Sequence, residues 1–123
     1  MDAALKILAV DDSPAITHSM RFIFAGPRYQ VTGVQDGDYA LAKLDANPEA
    51  YDVIIVDQKM PHLTGVELVQ EIRKRGIGGK IMVLSAHLSP EIREAYEQMD
   101  VHVILDKPFD IQELRWAVDR LAA

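Results

Sequence analysis

At 123 residues the chain fits one domain, with length enough for a hydrophobic core but not for two. Subtracting 19 acidic from 13 basic residues leaves a net charge of −6, which argues against broad nucleic-acid binding and favours solubility. The lack of cysteine excludes a disulfide framework and thiolate chemistry, and no segment has the pattern of a membrane span or a signal peptide, so a cytoplasmic protein is expected.

Leu5 to Val10 is a mostly apolar run ending in Asp11-Asp12, the pattern of a buried strand followed by acid. Ser13-Pro14 suits a helix start, with serine as N-cap and proline in the first turn, and Ile16, Met20 and Ile23 supply an apolar stripe. Gly26-Pro27 stops that helix. Tyr29 to Val34 is a weaker strand, diluted by Gly33 and polar residues. Asp36-Gly37-Asp38 turns the chain into a second helix with Ala40, Leu41 and Leu44 inward and Asn47-Pro48 as its stop.

Val53-Ile54-Ile55-Val56 is a β-branched run that ends abruptly in Asp57. It suits a strand buried on both faces, and periodicity alone also allows a buried helical segment. Turn-forming residues from Gln58 to His62 end it, and a third helix follows on Val66, Val69 and Ile72, closed by Arg73-Lys74-Arg75 and Gly76. Lys80 to Leu84 is the fourth strand, ending in Ser85. Ser89-Pro90-Glu91 begins the next helix, whose Ile92, Tyr96 and Met99 stripe reads as core.

Val101 to Leu105 is the last strand, with His102 inside it as a packing residue, and Asp106-Lys107-Pro108-Phe109 follows. Asp110 caps a final helix with Ile111, Leu114, Val118 and Leu121 inward, expected to run to Ala123. Trp116 falls off that stripe and suits either an interface or packing at the sheet border, while His18 and His62 are expected to face solvent.

Five strands alternating with five helices imply βαβ crossovers, hence an α/β domain with a parallel sheet and helices on both faces. The carboxyl ends of those strands then share one edge, where open α/β sheets place their ligand crevices. Asp11, Asp12, Asp57, Ser85 and Lys107 all fall there, and the second strand adds nothing, which fits a border position. A lone acid at a strand end is usually a cap or a solvated stop. Five polar residues converging on one edge favour a site.

Three carboxylates and one lysine leave two uncompensated negative charges, and a carboxylate pair about 4 Å apart repels by roughly 4 kcal/mol at an effective dielectric of 20. Either their pKa values rise or a divalent cation neutralises them. An all-oxygen donor set suits magnesium or manganese better than zinc. A cation there could hold phosphoryl oxygens beside Lys107 and Ser85, leaving Asp57 as a carboxylate nucleophile that forms an acyl phosphate.

Asp11-Asp12, Asp57 with Met60-Pro61 and Gly65, Ser85-Ala86, and Lys107-Pro108-Phe109, in this order and spacing, resemble the receiver domain of two-component response regulators over essentially the whole chain. The resemblance implies a single receiver domain over 1–123 with the flavodoxin-like strand order 2-1-3-4-5. It makes Asp57 the phospho-acceptor, served by a histidine kinase or a histidine phosphotransfer protein. Asp12 resembles a direct Mg2+ ligand and Asp11 a ligand through water, with the backbone carbonyl of Lys59 completing the set. Ser85 resembles the switch hydroxyl, and Lys107 the lysine that pairs with the phosphoryl group ahead of a cis Pro108.

Such a domain is not an enzyme beyond its own phosphorylation and dephosphorylation. It alters the surface of the fourth helix, fifth strand and fifth helix for a downstream protein target, without direct nucleic-acid contact or membrane insertion. Two positions depart from the family. Ile104 stands where a tyrosine or phenylalanine usually precedes the lysine by three, so a rotating aromatic there cannot report activation. Lys59 and His87, two residues beyond Asp57 and Ser85, are expected to alter the phosphoryl lifetime.

A pseudo-receiver working without phosphorylation is the alternative that Ile104 keeps open. An aspartyl phosphatase of the haloacid dehalogenase type would want Asp-x-Asp, and Asp57 is followed by Gln58-Lys59. With no output segment after the last helix, the chain is expected to be a stand-alone receiver or one excised from a longer protein.

Overall fold

Strand and helix alternate along residues 4–122, which the computed structural model describes. The elements are β1 (Leu5–Val10), α1 (Pro14–Ile23), β2 (Tyr29–Val34), α2 (Gly37–Ala46), β3 (Val53–Asp57), α3 (Gly65–Lys74), β4 (Lys80–Ser85), α4 (Pro90–Glu97), β5 (Val103–Asp106) and α5 (Ile111–Ala122). All strand pairs are parallel, in the order β2-β1-β3-β4-β5. The Ala123 end expected for the last helix lies outside the described residues. Among the described residues no helix is long and apolar enough to cross a membrane.

The central strand is β3, and all of its residues are buried. Its alternation divides the core. Ile54 and Val56 face a cluster with Leu44, Leu68, Ile72 and Tyr96 from α2, α3 and α4, while Val53 and Ile55 face Met20 of α1, Phe24 at its C-cap, and Leu114 and Val118 of α5. Each fully buried isoleucine contributes roughly 2–3 kcal/mol. The run is apolar throughout because both of its faces are covered.

Several caps do what their residues predict. Asp36 accepts from the Tyr39 amide at 2.6 Å, Ser89 from Ile92 at 3.2 Å, and Asp110 from Glu113 at 2.7 Å. Thr64 and Glu67 form a full capping box on α3. Ser13 holds the N-cap position of α1, but its hydroxyl makes no cap bond. Its amide instead donates to Asp11 Oδ1 at 2.9 Å, drawing that residue into the edge site.

Two readings are corrected, and a third is extended. β5 begins at Val103, so His102 precedes the strand and is exposed, its Nδ1 accepting from the Ile81 amide at 3.3 Å. Ile111 opens α5 and is 53% exposed, because a first-turn residue overhangs the end of the sheet and has nothing to cover. Arg73 does more than close α3. Its guanidinium donates to the carbonyls of Met99, Ile77, Gly79 and Asp100, tying the loops before β4 and β5 together.

Candidate functional site

The site grows from strand parity. Side chains alternate along a strand, so Asp11 continues the face of Ile7 and Ala9, Asp57 that of Val53 and Ile55, and Lys107 that of Val103 and Leu105. All three therefore lean toward the α1/α5 side. Ser85 has the parity of Ile81 and Val83 and leans toward α3 and α4. The loops continue the ladder: the Asp11 amide bonds Val34, Gln58 bonds Leu84, and Lys107 bonds Ser85 through carbonyls 2.8–3.1 Å away. These bonds fix the ends of the strands, and with them the five residues.

Asp57 is 6% exposed, and Lys107 Nζ donates to its Oδ1 at 3.1 Å. The peptide between Lys107 and Pro108 is cis. Asp11 is 4% exposed, with one carboxylate oxygen on the Ser13 amide and the other, Oδ2, buried without a partner. Burial pushes the Asp11 carboxyl above the usual range; the Ser13 amide opposes this, and the charge of Asp57 adds to it. Asp12 is exposed at the rim. Ligand oxygens of Asp11, Asp12 and Asp57 lie within 4.8 Å of one another.

A divalent cation fits this arrangement. The donors are all oxygen, three charges are matched by one lysine, and the orphaned Asp11 Oδ2 is a buried acceptor without a donor.

Ser85 is 3% exposed and does not reach Asp57. Its hydroxyl donates to the His87 carbonyl at 3.1 Å and accepts from the His87 amide at 3.2 Å, pinning the loop that leads into α4. An open cleft of about 560 Å3 is lined by Asp12, Asp57, Gln58, Lys59, Ser85, Ala86, His87 and Lys107. Lys59 and His87 are exposed at its mouth. Of the predicted residues, Asp12, Asp57, Lys59, Ser85, His87 and Lys107 line one cleft, Asp11 joins them through the carboxylate cluster, and Ile104 stands apart, half-buried against the core on the α2–α4 side.

One feature escaped sequence reasoning. The hydroxyl of Tyr96, on α4 and wholly buried, donates to Oε1 of Gln58, the residue after Asp57. A tyrosine on an inward stripe is a signal in itself, since a buried phenol needs a partner, but the stripe does not say which.

The response regulator receiver domain family matches residues 7–119. Response regulator MprA of Mycobacterium sp. (strain KMS) is 34% identical over 110 residues, covering 89% of this chain and 47% of that protein. The chain spans about half or less of the length of the curated relatives it matches. Among solved structures, chemotaxis protein CheY4 of Vibrio cholerae superposes with a TM-score of 0.87 at 33% identity, covering 97% of this chain and 99% of that one. Response regulator protein TrrA from Thermotoga maritima, in complex with Mg(2+)-BeF, superposes with a TM-score of 0.81 at 30% identity, covering 95% and 98%. With its acidic edge site on a parallel sheet of order 2-1-3-4-5, the chain belongs to the response regulator receiver domain family of two-component signalling.

Proposed function

We propose that this chain is a phosphorylation switch or relay in which Asp57 accepts a phosphoryl group from a phosphohistidine on a histidine kinase or phosphotransfer protein. The observation that carries this reading is the 3.1 Å pair of Lys107 and Asp57 inside a three-carboxylate cluster. A buried carboxylate held by one lysine is a positioned nucleophile with one oxygen oriented. An Asp57 oxygen attacks phosphorus, the donor's N–P bond breaks, and the imidazole leaves with its electron pair and takes up a proton. Lys107 then faces the phosphoryl oxygens as a point charge.

Asp11, Asp12, Asp57 and the backbone carbonyl of Lys59 would hold Mg2+, with Mn2+ able to replace it. When bound, the cation neutralises charge that develops on the phosphoryl oxygens. That the solved relative TrrA was obtained in complex with Mg(2+)-BeF supports this reading. Water attack on phosphorus later releases phosphate and regenerates the carboxylate, so the domain turns over only its own modification.

Ser85 is the switch hydroxyl. Turning to the phosphoryl group breaks both of its bonds to His87 and frees the start of α4. The surface of α4, β5 and α5, where Trp116 is 63% exposed, then changes for a protein target. The net charge of −6 supports protein rather than nucleic acid as the partner of this domain. The test is intact mass after incubation with acetyl phosphate, with and without Mg2+. One phosphoryl group gained only with Mg2+ is expected, and no adduct from any donor would leave an interaction module that works without phosphorylation.

A further inference from the structure

The helix α4 is short, from Pro90 to Glu97, and Tyr96 is its one fully buried residue. Besides the exposed Arg93–Asp106 ion pair, two tethers hold the helix, and both end beside the acceptor. One is the loop pinned by Ser85 to His87, and the other is the Tyr96 hydroxyl on Gln58. Gly65 makes room for the second tether. A Cβ there would collide with the Tyr96 hydroxyl and stand 2.9 Å from Gln58 Cα and 3.0 Å from the Asp57 carbonyl oxygen.

The backbone of Gln58 is fixed on both sides, its amide on the Leu84 carbonyl at 3.1 Å and its carbonyl on the Gly65 amide at 3.0 Å. Only its side chain is free to change partner, and that residue also borders the cleft. Ile104, by contrast, offers no polar atom to the site.

Resting on the reading of Asp57 as acceptor, we infer that Tyr96 and Gln58 form a buried latch that passes the state of Asp57 to α4, the task an aromatic at position 104 cannot perform here. A phosphoryl group on Asp57 places new acceptor oxygens beside Gln58, whose amide NH2 is a donor. As the amide turns to them, its oxygen leaves Tyr96. A buried phenol stripped of its acceptor is unfavourable, so the ring moves, and α4 moves with it. Burial and the charge of Asp57 raise the pKa of the phenol, so it keeps the proton it donates. Tyr96 and Gln58 are positioning residues and touch no reacting atom.

The test is amide NMR of the full chain in Mg2+, before and after addition of beryllium fluoride, for the wild type, Tyr96→Phe and Gln58→Leu. The wild type is expected to shift both at the cleft, at Ala86 and Lys107, and along α4 from Glu91 to Glu97. In the variants the cleft shifts persist while the α4 shifts fall at least about twofold. Gln58→Leu, at a partly exposed position, carries the test if Tyr96→Phe does not fold. Wild-type α4 shifts in the variants overturn the latch and leave the role of Asp57 standing; no cleft shift in the wild type overturns both.

Discussion

Lys107 and Asp57 stand 50 positions apart and meet at 3.1 Å, the one on the loop after β5 and the other at the end of β3. The lysine is the only cation bonded to the acid cluster among the described residues. It therefore opposes any dication bound there. A unit charge about 5 Å from a dication is worth roughly 2 kcal/mol even at the dielectric of water. Lys107→Met is expected to bind Mg2+ about tenfold more tightly by NMR titration. Unchanged or weaker binding would mean the lysine does not set the charge of the site.

Lys59 and His87 stand exposed at the mouth of the cleft. We propose that they tune the phosphoryl lifetime, their bulk limiting the approach of water to Asp57. Lys59→Ala and His87→Ala are each expected to speed dephosphorylation by roughly two- to tenfold, about 0.4–1.4 kcal/mol of barrier. Phosphate release from phosphorylated protein measures this, and wild-type rates in both variants would refute it.

Arg73 gives its guanidinium to four backbone carbonyls, those of Met99, Ile77, Gly79 and Asp100. Arg73→Ala leaves those acceptors partly buried and is expected to cost about 2–4 kcal/mol, read as a lower urea midpoint. Arg73→Lys cannot reproduce the fork and is expected to recover less than half of the loss.

His102 accepts the Ile81 amide at Nδ1, which requires a neutral ring. Burial, then Lys80 and Arg73, hold its pKa below the usual 6.5, with Asp100 opposing. The folded chain thus binds this proton less readily than the unfolded one. Its stabilising contribution is present above about pH 6.5 and is lost as pH falls through the lowered folded pKa. The effect is modest because the ring is exposed. Urea midpoints of the wild type and His102→Gln are expected to converge on acidification from about pH 7 to about pH 5. A constant gap would count against it.

The alternation of apolar runs and helical stripes was enough to place all five strands and helices, because β1, β3 and β4 each carry a mostly apolar run of strand length. Of the two edge strands, β5 is where a boundary slipped. β5 is covered on fewer sides than β3, so its residues carry less apolar contrast, and Val101 and His102 look like strand without being part of it. Strand-end acids made the cleft legible, since an acid after a buried run has few other places to go. The bonds of Arg73 and Tyr96 were hidden for a different reason. Their acceptors, near in sequence at Ile77 and Gly79 and far at Met99, Asp100 and Gln58, lie on loops where neither periodicity nor residue type marks a partner.

The central claim is that Asp57 itself carries the phosphoryl group. Borohydride reduction of the protein after treatment with acetyl phosphate and Mg2+, followed by peptide sequencing by mass spectrometry, reports this directly, because an aspartyl phosphate is reduced to homoserine. Homoserine at position 57 in the wild type, with no reduced residue in Asp57→Asn, is the predicted result. Homoserine at Asp11 or Asp12, or an adduct that survives in Asp57→Asn, would contradict the account.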